Sequence, residues 1–506
     1  MKKGKVFLVG AGPGDFGLFS LKGLEALKNA DVIVYDYLAN RSFLKYAKED
    51  VEIIYVGKKG GDHTLPQSKI NQLTIEKALE GKNVVRLKGG DPFIFGRGGE
   101  EAQEIIRKGI TFEIIPGITS AIAVPAYAGI PLTHRKYTQT VAFITGHEDP
   151  AKKDSGIEWK KIATGIGTLV FLMGVGNLRN IVDKLIENGR SPRTPVAVIR
   201  WGTTPKQRTV TGTLENIISE VEKSGLKPPS IIVVGDVVGL REELRWFENR
   251  PLFGKRVIVT RSREQASKLS RLLEEYGAEV IEFPTIKIVP PKSFDELDNA
   301  IDNISRYNWV IFTSVNGVKY FLERLGVKNK DFRELKGIKI ATIGPATAGE
   351  LKRLGIIVDL IPDEYRAEAL VSFFEKGGAS GLKILIPRAR FAREILPDKL
   401  REIGVEVDVV PAYETVKPEE NVEKIEKLLR DENIDLITFT SSSTVINFVN
   451  FFKKEEIKEL LKGVKIASIG PITAKKAEEF SLTSHIIPEK FTIESLVKSI
   501  VEYFQD

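Results

Sequence analysis

Two glycine-rich segments in the first half of the chain have residue types that could cradle a small ligand. Gly10-Ala-Gly-Pro-Gly-Asp15 follows the apolar run Lys5–Val9, the place where a dinucleotide fingerprint would hold a pyrophosphate. The spacing argues against that chemistry, because Asp15 stands where the last glycine belongs and Pro13 removes a backbone N–H. The second segment, Arg86-Leu-Lys-Gly-Gly-Asp-Pro-Phe-Ile-Phe-Gly-Arg-Gly-Gly-Glu100, has five glycines. Its pair Gly89-Gly90 lets a ligand approach the backbone closely, and Asp91 can accept hydrogen bonds from a hydroxyl or amine. A tight surface turn is the plainer alternative, and the length of the run weighs against it. Asp36 ends the apolar run Asp31–Tyr35, where parallel sheets place ligands, and a partly desolvated carboxylate there suits a base. A helix N-cap is its alternative role. His134 and His147 follow apolar runs and read as hydrogen-bonded structural residues, while Arg135 could pair with a substrate carboxylate.

The second half offers hydroxyls and arginines instead. Thr313-Ser314, Thr342 to Thr347, Thr440 to Ser443 and Ser468 to Thr473 each sit between an apolar run and a helix-period stretch. Helix N-termini carry free N–H groups and partial positive charge, so four facing one cleft would suit a polycarboxylate, whereas any single one reads as an N-cap. Arg261, Arg263, Arg388 and Arg390 end strand-like runs and could add charge-assisted contacts. No nucleophile–base pair is visible, so a reaction here would rest on shape and hydrogen bonding.

The elements that must position these residues alternate short β-branched runs with helix-period stretches, as in parallel α/β domains. Strands are expected at 5–9, 31–35, 51–56, 83–87 and 112–115, with a helix over 18–30, and again at 140–144, 168–172, 195–199 and 230–234. Arg250-Pro-Leu-Phe-Gly254 breaks the pattern, and a fresh strand starts at Lys255. Beyond it the sequence repeats: Val257–Arg263 recurs as Ile384–Arg390, Val310–Ser314 as Ile437–Ser441 and Lys339–Pro345 as Lys465–Pro471, at a nearly constant offset. Two copies of one α/β unit with a ligand cleft between them follow from that.

Composition narrows the classes. At 506 residues, 42% hydrophobic and 28% charged, the chain has the make-up of a multidomain globular protein. It has no cysteine, which removes disulfides, thiolate nucleophiles and iron–sulfur sites, and its four histidines lack zinc spacing. The N-terminal apolar run turns at once into glycines and reads as a strand, not a signal segment, and no stretch approaches a membrane span. A cytoplasmic protein is expected, without a membrane partner. The net charge of +7 permits an anionic partner, but basic residues alternate with acidic ones, so nucleic acid is disfavoured.

Residues 10–15, 32–36, 56–58, 86–101, 116–120, 129–134, 143–147 and 171–174 together resemble uroporphyrinogen-III C-methyltransferases, over about residues 3–248. The long glycine motif separates that family from other tetrapyrrole methylases and from diphthine synthases. The resemblance implies two methylations of uroporphyrinogen III by S-adenosylmethionine, giving precorrin-2, in a homodimer with the cofactor between two α/β domains. It implies cofactor contacts at Pro13, Gly89, Gly90, Asp91, Ile94, Thr119, Ser120, Met173 and Gly202, with Asp36 as proton acceptor and Lys58 as proton donor. For Lys58 a solvated charge beside Lys59 is the alternative.

Residues 254–504 resemble uroporphyrinogen-III synthases through Gly254–Arg261, Phe312–Ser314, Ile343–Pro345, Pro411–Thr415, Phe439–Ser441 and Ile469–Pro471. This implies cyclisation of hydroxymethylbilane with inversion of the last pyrrole ring, without a cofactor. Tyr413 is the expected catalytic hydroxyl; Arg261, Thr313, Ser314, Thr347, Arg388, Ser441 and Thr473 are expected on the substrate. The expected fold is α/β throughout: a tetrapyrrole methylase at 1–249, with subdomains at about 1–132 and 133–249, then a synthase of flavodoxin-like parallel-sheet units at 250–506. In the synthase, residues 254–288 with 412–506 form one subdomain and 289–411 the other. A methyltransferase whose second half only binds tetrapyrrole is the alternative.

Overall fold

The apolar runs become the strands of four sheets in a computed structural model that describes residues 3–57, 65–147, 156–260, 263–362, 367–378, 381–391, 394–418, 422–431, 434–453 and 455–505. By its contacts the chain divides into two compact units, Met1–Arg256 with Leu272–Glu279 and Val501–Asp506, and Val257–Arg271 with Val280–Ile500.

The first unit opens with β1 (Lys5–Gly10), β2 (Val32–Tyr35), β3 (Glu52–Tyr55), β4 (Val84–Lys88) and β5 (Thr111–Ile115), in the order β3-β2-β4-β1-β5. Every pairing is parallel, so the strand ends carrying the glycine loops share one edge. All of β2 and β4 is buried, with apolar cores on both faces. The first helix runs Leu21–Lys28, shorter than the 18–30 expected, because Ser20 caps it and Phe16–Leu18 closes a separate 3₁₀ turn.

A second sheet follows, of β6 (Val141–Thr145), β7 (Thr168–Leu172), β8 (Pro195–Arg200), β9 (Arg208–Thr213) and β10 (Ser230–Val234), ordered β6-β7-β10-β8-β9. Here the expectation of parallel strands needs correcting. Only β6 and β7 pair in parallel, whereas β7–β10, β10–β8 and β8–β9 are antiparallel. The seven-residue link between β8 and β9 is too short for a parallel crossover, so they form a hairpin.

The second unit holds two sheets. β11 (Arg256–Val259) and β12 (Glu279–Glu282) join the late strands in the order β12-β11-β18-β19, where β18 is Leu436–Phe439 and β19 is Lys465–Ser468. The intervening chain supplies β13 (Lys287–Val289), β14 (Trp309–Phe312), β15 (Lys339–Thr342), β16 (Lys383–Ala389) and β17 (Glu406–Val416), ordered β13-β17-β16-β14-β15. The pairs are parallel except β13–β17 at the edge. Among the described residues no helix is long and apolar enough to cross a membrane, and no cluster of three or more His, Asp or Glu could hold a metal.

Candidate functional site

The loops after β1, β4 and β5 are laced together by their own backbones. Gly12 and Gly90 exchange hydrogen bonds, N–H of Gly90 to O of Gly12 at 2.8 Å and the reverse at 3.2 Å, both residues having left-handed φ. A Cβ on Gly117 would lie 2.3 Å from the Gly90 carbonyl oxygen, so only glycine lets these strands' ends meet. Asp91 clamps the long loop. Its Oδ1 accepts from the N–H groups of Phe93 (2.7 Å) and Ile94 (3.1 Å), and its Oδ2 accepts from Gly117 (3.0 Å). The carboxylate expected to meet a ligand thus serves the chain itself. Asp15 does similar work: its carboxylate accepts from the Tyr127 hydroxyl at 2.7 Å and from Gly17 N–H, while its own N–H donates to Thr203 Oγ1. Burial first, and then the Asp15 hydrogen bond, push the Tyr127 phenol well above its ordinary range.

Across from these loops stand Met173 after β7 and Trp201–Thr203 after β8. Between the two sets lies a cavity of about 360 Å³, within the size range of small-molecule sites. All nine residues singled out for the cofactor line it: Pro13, Gly89, Gly90, Asp91, Ile94, Thr119, Ser120, Met173 and Gly202. So do Leu38, Phe95, Trp201 and Pro229, which the sequence reading missed. Backbone strain marks the same place. Of the described non-glycine residues with positive φ, Phe95, Arg97, Met173, Trp201 and Thr203 sit in these loops, and only Asn329 and Ser481 lie elsewhere. Thr119 caps the helix Ser120–Tyr127, whose first turn therefore points N–H groups at the cavity's edge. The chamber is walled by apolar side chains and close backbone, which fits an adenosyl sulfonium better than a pyrophosphate.

Asp36 stands at the end of β2, half-buried, beside the cavity-lining Leu38. Its Oδ2 accepts from Arg86 Nη2 at 2.9 Å, and its Oδ1 accepts from the Leu38 N–H at 3.1 Å. Lys58 lies outside the described residues. His134 accepts from Lys136 N–H through Nδ1 in the turn that closes on Thr138, a structural use, and Arg135 is exposed in that turn.

In the second unit Ser314 caps the helix Val315–Val327 by accepting from Gly317 N–H, and its Oγ lies 3.0 Å from the Tyr413 hydroxyl. That contact joins two of the residues expected in the synthase site. Thr313 lies beside it, partly exposed. Ser441 caps Ser442–Val449 in a capping box with Thr444. Thr347 and Thr473 are not caps: proline opens each of their helices, Gly344 and Gly470 take the cap positions, and both threonines are 95% buried. Arg388 pairs with Glu394, and Arg390 Nε lies 2.7 Å from Glu414 Oε1, so both strand-end arginines already face carboxylates. Arg261 lies outside the described residues.

The comparisons with known proteins follow the same division. Residues 5–218 match the family model of tetrapyrrole (corrin/porphyrin) methylases, and residues 267–498 match that of uroporphyrinogen-III synthase HemD. A porphyrin biosynthesis protein HemD from Ruminiclostridium josui is 38% identical over 99% of this chain and 98% of its own length. A uroporphyrinogen-III C-methyltransferase of Bacillus subtilis is 44% identical over 72% of this chain and 74% of its own. The crystal structure of a Thermus thermophilus uroporphyrin-III C-methyltransferase complexed with S-adenyl homocysteine is 39% identical, covering 47% of this chain and all of that one, with a TM-score of 0.41. The chain belongs to the family of porphyrin-biosynthesis HemD proteins, and is a bifunctional tetrapyrrole-biosynthesis enzyme in which a methyltransferase precedes a uroporphyrinogen-III synthase.

Proposed function

We propose that the second half closes hydroxymethylbilane to uroporphyrinogen III with inversion of ring D, and that the first half methylates that product twice with S-adenosylmethionine to give precorrin-2. The observation that carries the methylation is the convergence of nine residues from five separate segments on one cavity. When bound, S-adenosylmethionine supplies an electrophilic methyl group on a positively charged sulfur. Ile94, Met173 and Leu38 give the cavity apolar walls, and the glycine backbone at 89–90 with the start of the helix at Thr119 and Ser120 supplies its polar edge. Positioning of an electron-rich pyrrole carbon does most of the work. Asp36, whose carboxylate is steered by Arg86, takes up the proton the macrocycle loses, and Lys58 returns one.

In the synthase half the Ser314–Tyr413 hydroxyl pair polarises the departing hydroxyl of the bilane. Thr313 and Ser441 together with Arg261 orient its carboxylates, and no cofactor takes part. The enzyme works in the cytoplasm as a homodimer formed through its methyltransferase half.

Purified full chain given hydroxymethylbilane alone is expected to release uroporphyrinogen III, and with S-adenosylmethionine added, precorrin-2. Accumulation of only the spontaneously closed isomer refutes the synthase half. Asp36→Ala is expected to lower methyl transfer about 100-fold or more while leaving S-adenosylmethionine affinity intact, and unchanged turnover refutes the base.

A further inference from the structure

Behind Asp36 the first unit buries a cluster of charges that the proposed chemistry does not use. Arg86 and Lys88 stand two residues apart on β4 and point to the same side of the sheet, where Glu101 of the helix Gly98–Arg107 meets them. Lys88 Nζ donates to Glu101 Oε1 at 2.6 Å, and Gln67 Nε2 donates to the same oxygen at 2.8 Å. Arg86 Nε lies 3.7 Å from that oxygen, too far to hydrogen-bond, while its Nη groups hold the Val34 and Leu87 carbonyls and Asp36. The side chains of Arg86, Lys88 and Glu101 are 4–6% exposed, against 27% for Asp36. Glu101 Oε2 and Arg86 Nε are buried with no hydrogen-bond partner.

Three ions sealed from water are expensive, and nothing in packing requires them; apolar residues of the same volume would serve the core as well. Two cations and two anions balance, and the only member of the set that reaches solvent is Asp36. The chain Lys88–Glu101–Arg86–Asp36 therefore ends at the carboxylate beside the cavity.

We infer that Glu101 and Lys88 are positioning residues, which set through Arg86 the orientation and proton affinity of Asp36. This rests on the reading of Asp36 as the base. Among the described residues the charged groups facing Asp36 are Arg86 directly, with Lys88 and Glu101 behind it; Gln67 and Asn71 close the cluster without charge. Burial first, and then the Arg86 charge, lower the Lys88 pKa, with Glu101 and Asp36 opposing them, so the groups sense one another across the cluster.

The signs of the effects follow. Glu101→Gln keeps the acceptor for Lys88 and Gln67 but removes a negative charge, so ionised Asp36 is favoured and the acid limb of the kcat–pH profile moves down. Lys88→Met removes a positive charge, so the limb moves up. Each shift is expected at about half a pH unit or more. The double variant, again neutral, returns the limb toward the wild-type position.

The experiment measures methyl transfer by the full chain across pH for wild type, both single variants, the double variant and Asp36→Asn, with S-adenosylmethionine affinity by calorimetry. Opposite shifts with affinity within about twofold are the expected result, since a merely structural role would lower activity without moving the limb in opposite directions. Shifts of the same sign, or none, overturn the inference. Should one single variant not fold, the other carries its own sign, and the wrong sign there overturns it equally. Asp36→Asn separates the two levels. If it leaves rate and limb unchanged, the base reading itself falls. If it abolishes the limb while Glu101→Gln and Lys88→Met leave it in place, only the positioning role falls.

Discussion

Asp91→Asn tests whether the wall of the cavity is held by this carboxylate or whether the carboxylate waits for a ligand. The substitution keeps shape and volume but exchanges one oxygen for an amide NH₂. With the remaining oxygen turned to Phe93 and Ile94, the NH₂ faces the Gly117 N–H, donor against donor; turned the other way, two bonds are lost instead of one. Asp91 is 9% exposed, so water is a poor substitute. Losing one charge-assisted bond and leaving one nearly buried N–H unpaired costs about 2–4 kcal/mol. The loop that this cost falls on carries Ile94, Phe95 and Gly96 of the cavity lining. If S-adenosylmethionine binds only the ordered loop, 2 kcal/mol appears as an affinity loss of up to about 30-fold, at tenfold per 1.4 kcal/mol. Calorimetric titration of the full chain measures it. Thermal unfolding without ligand supplies the discriminating readout, because a clamp lowers the first transition while a ligand contact leaves it in place. Conversion of hydroxymethylbilane to uroporphyrinogen III by the same variant should be unaffected. An unchanged ligand-free transition together with weakened binding refutes the clamp.

Three further outcomes are expected. Gly90→Val should weaken S-adenosylmethionine binding about tenfold or more: no protein atom within 3.9 Å of the new Cβ crowds it, but φ is +67°, where a β-branched residue costs roughly 1–2 kcal/mol or more. Normal affinity in a binding titration would show that this loop does not shape the site. Tyr413→Phe removes the partner of Ser314 Oγ and should slow uroporphyrinogen-III formation at least about tenfold while sparing methylation; an unaltered rate and isomer ratio by chromatography would discard the hydroxyl pair. Hydrogen bonds from Lys22 and Lys5, opposed by slight burial, hold Glu113 at about 2 against an ordinary 4.5. A folded pKa below the unfolded one means that this stabilisation is full above pH 4.5 and is lost as pH falls toward 2, so the melting-temperature gap between wild type and Glu113→Gln should close over that window. A gap constant with pH would contradict the assignment.

How much of this was legible in the sequence depends on where each residue's signal lies. The residues around the cavity sit in loops written in glycine and proline, and those types declare their backbone demands locally. Parallel strands then collect the loops near 13, 90 and 119 at one edge of the first sheet, and the loop near 173 meets them from the second sheet, although nothing between them says so. The β8–β9 hairpin escaped because its turn, Trp201–Gln207, takes positive φ at Trp201 and Thr203, residues that normally avoid it. Such strain is sustained only by tertiary contacts, and the Thr203 hydroxyl that accepts the Asp15 N–H is one of them. Thr347 and Thr473 misled for the opposite reason: a hydroxyl near a helix start reads as a cap, but the proline ahead of each moves the cap to glycine and turns the threonine inward.

The charge cluster shows the deepest limit of a local reading. Val84-Val-Arg-Leu-Lys88 alternates apolar with charged residues, the pattern of a strand with one wet face. Yet β4 is the middle strand of its sheet and every one of its residues is buried. The alternation is real, but the second face is closed by Glu101 and Gln67 from two helices, so what looks like solvent-facing charge is an internal ion network. Nothing within five residues of Arg86 distinguishes the two cases; the distinction comes from the strand order and from a glutamate fifteen positions on, in the part of the glycine motif that faces away from the cavity. One continuous motif thus carries both the wall of the site, at Gly89 to Gly96, and the charges behind its base, at Arg86, Lys88 and Glu101. A substitution at the far end of the motif should therefore be felt at Asp36 as a change in proton affinity, with the cavity left intact.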